Sequence, residues 1–197
     1  AYWQNFFDDN FAFLGFGQNL PDGIWGISIQ QTKWKWIEGL TYEYMNTTDQ
    51  SGPWHDRDGL CYGGNDLYYQ NSVFCNGWNY FYRSMGTPFI SSPLYNTDGT
   101  IYTLNSRARL HHLGIRGDIY GFKYRILCSY VQNFGNDNTS KQLLSSNVAT
   151  LLEVNKHVEK AWGLDFGLRL AADIGTQYGN RFGALITISK QGIIHSY

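Results

Sequence analysis

Nowhere in these 197 residues does an apolar run approach the ~20 residues that a membrane-spanning helix needs. Charge is also sparse. Only 16% of residues are charged and the formal net charge is −1, so no basic surface points to nucleic acid or to an anionic membrane face. There are 4 prolines against 22 glycines, and 3 cysteines: Cys61, Cys75 and Cys128. An odd cysteine count excludes a complete disulfide framework. Cys61 and Cys75 lie in one loop-like region, where they either pair in an oxidising compartment or remain thiols. The chain opens AYWQNFF, without Met and without a basic start, so either a signal has been removed or this is a piece of a longer protein. G-x-S-x-G, P-loop, dinucleotide and H-E-x-x-H motifs are all missing. No catalytic residue and no cofactor site is assigned, and enzyme activity is not expected.

What the chain does have is aromatic residues, 17% of the total, with 15 Tyr, 12 Phe and 7 Trp. With abundant glycine and low charge, this suits β-structure with many turns, sugar-binding surfaces and the aromatic girdles of membrane barrels. The clearest strand is WGLDFGLRLAADI, residues 162–174. Trp162, Leu164, Phe166, Leu168, Leu170, Ala172 and Ile174 fall on one face. Asp165, Arg169 and Asp173 fall on the other, with Gly163, Gly167 and Ala171 between them. The run is about twice the usual strand length of 5–6 residues. Tilted about 45°, a strand of about 11 residues crosses a hydrocarbon band about 25 Å tall. Arg169 at mid-strand would cost about 2–4 kcal/mol facing lipid, so the charged face points inward if the strand spans a membrane. A long strand of a soluble sandwich, polar face outward, fits the same alternation.

The rest of the chain alternates in the same way. Strands are read at 24–31, 37–46, 106–115, 122–130, 148–155 and 181–190, with a shorter one at 11–17. Apolar residues change phase at His111 and His112, which suggests a β-bulge. Trp34 and Trp36 flank Lys35 at a turn, an interfacial-anchor pattern in a membrane protein and a hairpin-end packing otherwise. Residues 46–105 form one long excursion rich in Gly, Asn, Asp and aromatics. A structureless loop of this length is unusual in a soluble domain, whereas long loops at one end of the strands are normal for an outer-membrane barrel. Counted back from the C-terminus, the long connections share one side and the tight turns the other. The expected fold is therefore all-β: a transmembrane antiparallel β-barrel of the outer-membrane type, one barrel region over 1–197 with a long outer loop at about 46–105.

The segments YEYMNTTDQSGPWHD, GGNDLYYQNSVFCNGWNYFYRSMGTPF, SRARLHHLGIRGDIYGFKYRILCSYVQNFG and GNRFGALITISKQG resemble the C-terminal part of capsule assembly proteins of the Wzi family, in the form found in Bacteroidetes. The similarity covers most of 41–194. It implies an outer-membrane β-barrel that holds capsular polysaccharide at the bacterial cell surface. Because family members are usually about twice as long, it also implies that this chain supplies the C-terminal strands of a larger barrel. The family has no agreed catalytic motif to carry over.

Two constellations carry function on this reading. Trp54, Tyr62, Tyr68, Tyr69, Trp78, Tyr80, Tyr82 and Arg83 combine rings that stack on the C–H faces of sugars with a donor for their oxygens, which makes them polysaccharide-binding candidates. The same aromatics would also pack as a lid over a barrel mouth. Arg107, Arg109, Arg125, Asp165, Arg169 and Asp173, with Lys123, Glu153 and Arg181, are read as lumen charges that pair with one another or steer an acidic glycan. No metal site is assigned. His55, Asp56 and Asp58 lack calcium-loop spacing, and the adjacent His111 and His112 point to opposite faces of a strand. Asp165 and Asp173 are about 26 Å apart along a strand, too far for a glycosidase pair. The expected partners are capsular or other surface polysaccharide and outer-membrane lipid. Two alternatives stay open: a porin-like channel whose long loop constricts the lumen, and a soluble carbohydrate-binding β-domain.

Overall fold

Alternation of apolar and polar residues carries nearly every strand of the protein. A computed structural model describes residues 1–6, 19–20, 22–50, 67–70, 73, 76–136 and 142–190. The strands are β1 (Tyr2–Gln4), β2 (Gly23–Gln30), β3 (Gly39–Asn46), β4 (Asn79–Tyr80), β5 (Arg83–Ser84), β6 (Ala108–Ile119), β7 (Phe122–Asn133), β8 (Ser145–Val158), β9 (Leu164–Gly175) and β10 (Arg181–Ser189). Eight of them form one sheet in the order β1-β2-β3-β6-β7-β8-β9-β10, and β4 and β5 pair separately. The fold is all-β and the large sheet antiparallel. The sheet is not closed, with β1 and β10 at its edges. The strand expected at 11–17 lies outside the described residues, and no helix among them is long and apolar enough to cross a membrane.

The three longest connections share one side of the sheet. In an antiparallel sheet successive connections lie at alternate ends. Residues 5–22, 47–107, 134–144 and 176–180 join strands at one end, and 31–38, 120–121 and 159–163 at the other. The expected turn at 116–121 is shorter than the sequence suggests. Asp118 and Ile119 continue β6, because the Asp118 amide donates to the Lys35 carbonyl (2.6 Å) and its carboxylate accepts from the Gly121 amide (2.7 Å).

The chain divides into two compact units. The first comprises Ala1–Gly26, Glu43–His111 and Val131–Ser146. Its small core is Met45, Ile90, Ala108, Leu110 and Val131, with Phe6, Ile24, Tyr69 and Phe89 packed against it. The same unit also buries polar groups, among them Thr47, Gln50, Thr103, Ser106 and Arg107. The two ends of the long excursion are stitched together here. Thr47 Oγ1 donates to the Ser106 carbonyl (2.8 Å) and accepts from the Ala108 amide (2.8 Å), and Gln50 Nε2 donates to the Ser106 carbonyl (2.9 Å). Closing the loop at its base lowers the entropic cost of ordering what lies between. The excursion therefore folds where described: it contains β4, β5 and a 3-10 turn at Pro93–Tyr95.

The second unit comprises Ile27–Tyr42, His112–Tyr130 and Asn147–Tyr197. Directly opposed residues of an antiparallel pair share a face. Leu168 lies between Val154 and Ile186, and Leu170 between Leu152 and Ala184. These residues make an apolar face that stays uncovered: Ile29 is 55% exposed, Ile174 60%, Phe182 74% and Ile186 74%. On the other face Glu153 opposes Arg169 and His157 opposes Asp165. Gly167 belongs to this face, where a Cβ would sit 2.3 Å from Thr187 Oγ1 and 2.9 Å from Asn155 Oδ1. Its glycine lets those polar side chains close in.

The phase change at His111 and His112 needs no interruption of β6, which runs through it as one strand of 12 residues. Its cause is surroundings. Ala108 and Leu110 are drawn into the core of the first unit, while Leu113 is exposed. The two histidines do make separate contacts, His111 with the Tyr44 ring at 5.1 Å and His112 Nδ1 with Ser129 Oγ at 2.7 Å.

Candidate functional site

The first unit displays a hairpin of aromatic residues. Asn79 pairs with Ser84 and Tyr80 with Arg83, leaving Phe81 and Tyr82 as a two-residue turn. Both have positive φ, 45° and 60°, as the type I′ turn of a tight hairpin demands. That position suits Asn-Gly; each bulky residue placed there costs about 1–2 kcal/mol. Neighbours hold the strained turn in place. Trp78 donates its amide to the Tyr69 carbonyl (3.0 Å) and accepts from the Met85 amide (2.8 Å), while Tyr82 accepts from the Leu94 amide (3.0 Å) and the Ser92 hydroxyl. Ser84 Oγ donates to Asn79 Oδ1 at 3.0 Å. The turn presents its rings to solvent: Trp78 is 65% exposed, Tyr80 66% and Phe81 78%. Tyr80 and Phe81 meet edge to face at 4.6 Å and 84°.

The candidate glycan residues therefore separate. Trp78, Tyr80, Tyr82 and Arg83 come together on the hairpin, all exposed. Tyr68 and Tyr69 lie apart from the hairpin strands, half-buried and bonded or packed within the unit. Tyr68 donates its hydroxyl to Asp22 Oδ2 (3.0 Å), accepts from Asn19 Nδ2 (3.0 Å) and packs on Phe6. Tyr69 lies on the apolar core, where burial and the Asp22 charge push its hydroxyl up to about 12. Trp54 and Tyr62, the pair Cys61 and Cys75, and His55, Asp56 and Asp58 lie outside the described residues. Phe81 has a stronger claim to the site than its sequence context suggests. The signal for it is the pair of residues left between two strands too short to show alternation.

The lumen charges separate as well. In the second unit, Arg125 Nη2 lies 2.6 Å from Glu153 Oε2 and Arg169 Nε 2.9 Å from Glu153 Oε1. The shared carboxylate is buried, and both arginines are about half exposed. Asp165 and Asp173 sit at opposite ends of β9. Asp165 Oδ1 meets His157 Nδ1 at 2.7 Å, and Asp173 Oδ1 accepts from Asn147 Nδ2 at 3.3 Å. Arg107 and Arg109 belong to the first unit. Arg107 is fully buried just before β6 and donates to the Asn136 carbonyl (2.8 Å), so it presents no charge to an incoming glycan. Arg109 lies over the Phe134 ring at 5.2 Å, turned outward between the buried Ala108 and Leu110. Cys128 is a free, half-buried thiol, and the described residues contain no cluster of His, Cys, Asp or Glu fit to hold a metal ion.

Removing the Glu153 carboxylate tests the pairing. Glu153→Gln leaves two arginines facing each other across a neutral side chain. The expected loss is about 2 kcal/mol, because both guanidiniums remain partly solvated. The measurement is the urea midpoint of the protein. An unchanged midpoint would mean that the ion triad contributes no net stability.

Comparison of the chain with protein-family models, with curated proteins and with solved structures returns no match.

Proposed function

We propose that this chain forms the C-terminal strands of an antiparallel β-barrel in the bacterial outer membrane, and that it binds or organises capsular polysaccharide at the cell surface without changing it chemically. The observation that carries the membrane part is the inverted second unit. Its sheet turns large apolar side chains outward while the opposite face buries Glu153 between two arginines. A contiguous apolar face of this kind is a liability in water and a requirement in lipid. That the three longest connections share one end of the sheet supports the same reading, in which the excursion faces outward from the cell and the opposite turns face the periplasm.

The glycan part draws support from the hairpin and from the sequence resemblance. Rings with free faces, backed by an exposed Arg83, suit the C–H faces and oxygens of a sugar chain. Arg83 favours a polysaccharide that carries acidic residues. The deciding experiment is the ratio of cell-bound to released capsular polysaccharide with and without the gene. Release into the medium at unchanged total production is the expected result. An unchanged ratio would remove the anchoring role, and single-channel conductance would then test the porin-like alternative.

A further inference from the structure

On the apolar face of the second unit, β6, β7 and β8 leave an open groove of about 400 Å³. Its walls are Ile119, Phe122, Tyr124, Ile126, Leu152 and Val154. The one polar group among them, the Tyr124 hydroxyl, donates to the Trp36 carbonyl, which fixes the ring in place. A cation stands at one end of the groove. Lys156 follows Val154 on the same face of β8. Its Nζ sits 4.4 Å from the centre of the Phe122 ring and donates to the Tyr120 carbonyl at 2.7 Å. The turn leaves room for that ammonium: a Cβ on Gly121 would lie 2.7 Å from Lys156 Nζ. An ammonium has three N–H donors, so the bond to Tyr120 does not exhaust it.

We infer that this groove seats one acyl chain of a membrane phospholipid, with the lipid phosphate at Lys156. The inference rests on the outer-membrane reading. From Lys156 to Leu152 the strand spans ~13 Å, close to the ~15 Å half-thickness of a hydrocarbon core. An apolar channel with the Lys156 ammonium at its mouth complements an amphiphile that has one anionic head. Tyr120 at that mouth is 93% exposed, as an anchor at the membrane–water boundary would be. The Tyr120–Gly121 turn belongs to the short-connection end, the periplasmic side in the proposed orientation, so the lipid is a glycerophospholipid of that leaflet.

The test is native mass spectrometry of the whole protein in mild detergent, titrated with phosphatidylglycerol. The wild type is expected to hold one lipid tightly. Lys156→Gln should weaken that binding about fivefold, from the ~1 kcal/mol that one lysine contributes at an anionic lipid surface. Val154→Trp fills the groove with the cation intact and should weaken it at least as much. Glycerol phosphate, which has the head but no chain, should not bind. Equal lipid binding by the wild type and both variants would overturn the inference. So would a dimer that Val154→Trp converts to monomer, since a second copy would then cover the groove. Recovery of the protein in the soluble rather than the membrane fraction would instead remove the outer-membrane reading itself, and the lipid seat with it.

Discussion

Replacing Phe81 and Tyr82 by Asn and Gly is expected to stabilise the protein while releasing polysaccharide from the cell. The two effects have opposite signs because they arise from different properties of the same residues. Both backbones sit at positive φ, where a bulky side chain costs about 1–2 kcal/mol and Asn-Gly costs almost nothing. The rings recover little of that cost. Phe81 is 78% exposed and Tyr82 55%, and the edge contact of Phe81 with Tyr80 returns only about 0.5–1.5 kcal/mol. The bonds that hold the turn run through the Tyr82 carbonyl, so the replacement keeps them. A net gain of about 1–2 kcal/mol in unfolding free energy is expected. Cell-bound polysaccharide should fall about tenfold if the two lost rings together contribute ~1.4 kcal/mol of glycan contact. If the aromatics serve only to pack the loop, the result inverts: stability falls and retention holds, and the hairpin loses its claim to the site. Arg83→Ala separates the two kinds of contact, since it should release an acidic polysaccharide and leave a neutral one in place.

The difference between what was legible in the sequence and what was not follows from the range of the forces involved. β9 and β10 could be read directly, because a strand with one face apolar and one charged repeats every two residues whatever surrounds it. The ion triad was readable in part. Arg125, Glu153 and Arg169 share a face by parity, but only the pairing of β8 with β9 sets Glu153 opposite Arg169. Where the surroundings change along one strand, parity misleads. Ala108 and Leu110, which flank Arg109, have the pattern of a lipid face, yet they fill the core of the first unit. The burial of Arg107 is not legible locally either, because a guanidinium placed against the Asn136 carbonyl leaves no pattern in the sequence. The hairpin was hidden because strands of two residues have no period. Between Pro21 and Gly23, Asp22 has the local context of a turn residue, and its role depends on groups far along the chain.

That role makes Asp22 the residue whose loss should cost most. It is fully buried in the connection before β2. Oδ1 accepts from Asn46 Nδ2 (2.7 Å) and the Asp49 amide (3.0 Å), and Oδ2 from the Gln50 amide (3.0 Å) and the Tyr68 hydroxyl (3.0 Å). One carboxyl thus ties the end of β3 to Asp49, Gln50 and Tyr68 of the excursion. Asp22→Ala would leave those donors buried without their acceptor. A loss of about 3–5 kcal/mol is expected, enough to free the excursion for proteolysis. Burial also pushes the Asp22 carboxyl up to about 6, against the pull of the amides of Asp49 and Gln50 and the hydroxyl of Tyr68. The unfolded chain releases the same proton near pH 3.9. Between about pH 4 and pH 6 the folded state therefore holds more protons than the unfolded one, and stability falls as pH rises through that window. The contribution, present in full below about pH 4 and lost above about pH 6, is about 3 kcal/mol. Asp22→Asn removes the titration while keeping the shape, so its urea midpoint should lie below that of the wild type at pH 4 and lose the slope between pH 4 and pH 6. A wild-type midpoint that rises over this range would mean that the hydrogen bonds to Asp22 outweigh its burial and hold the carboxylate ionised.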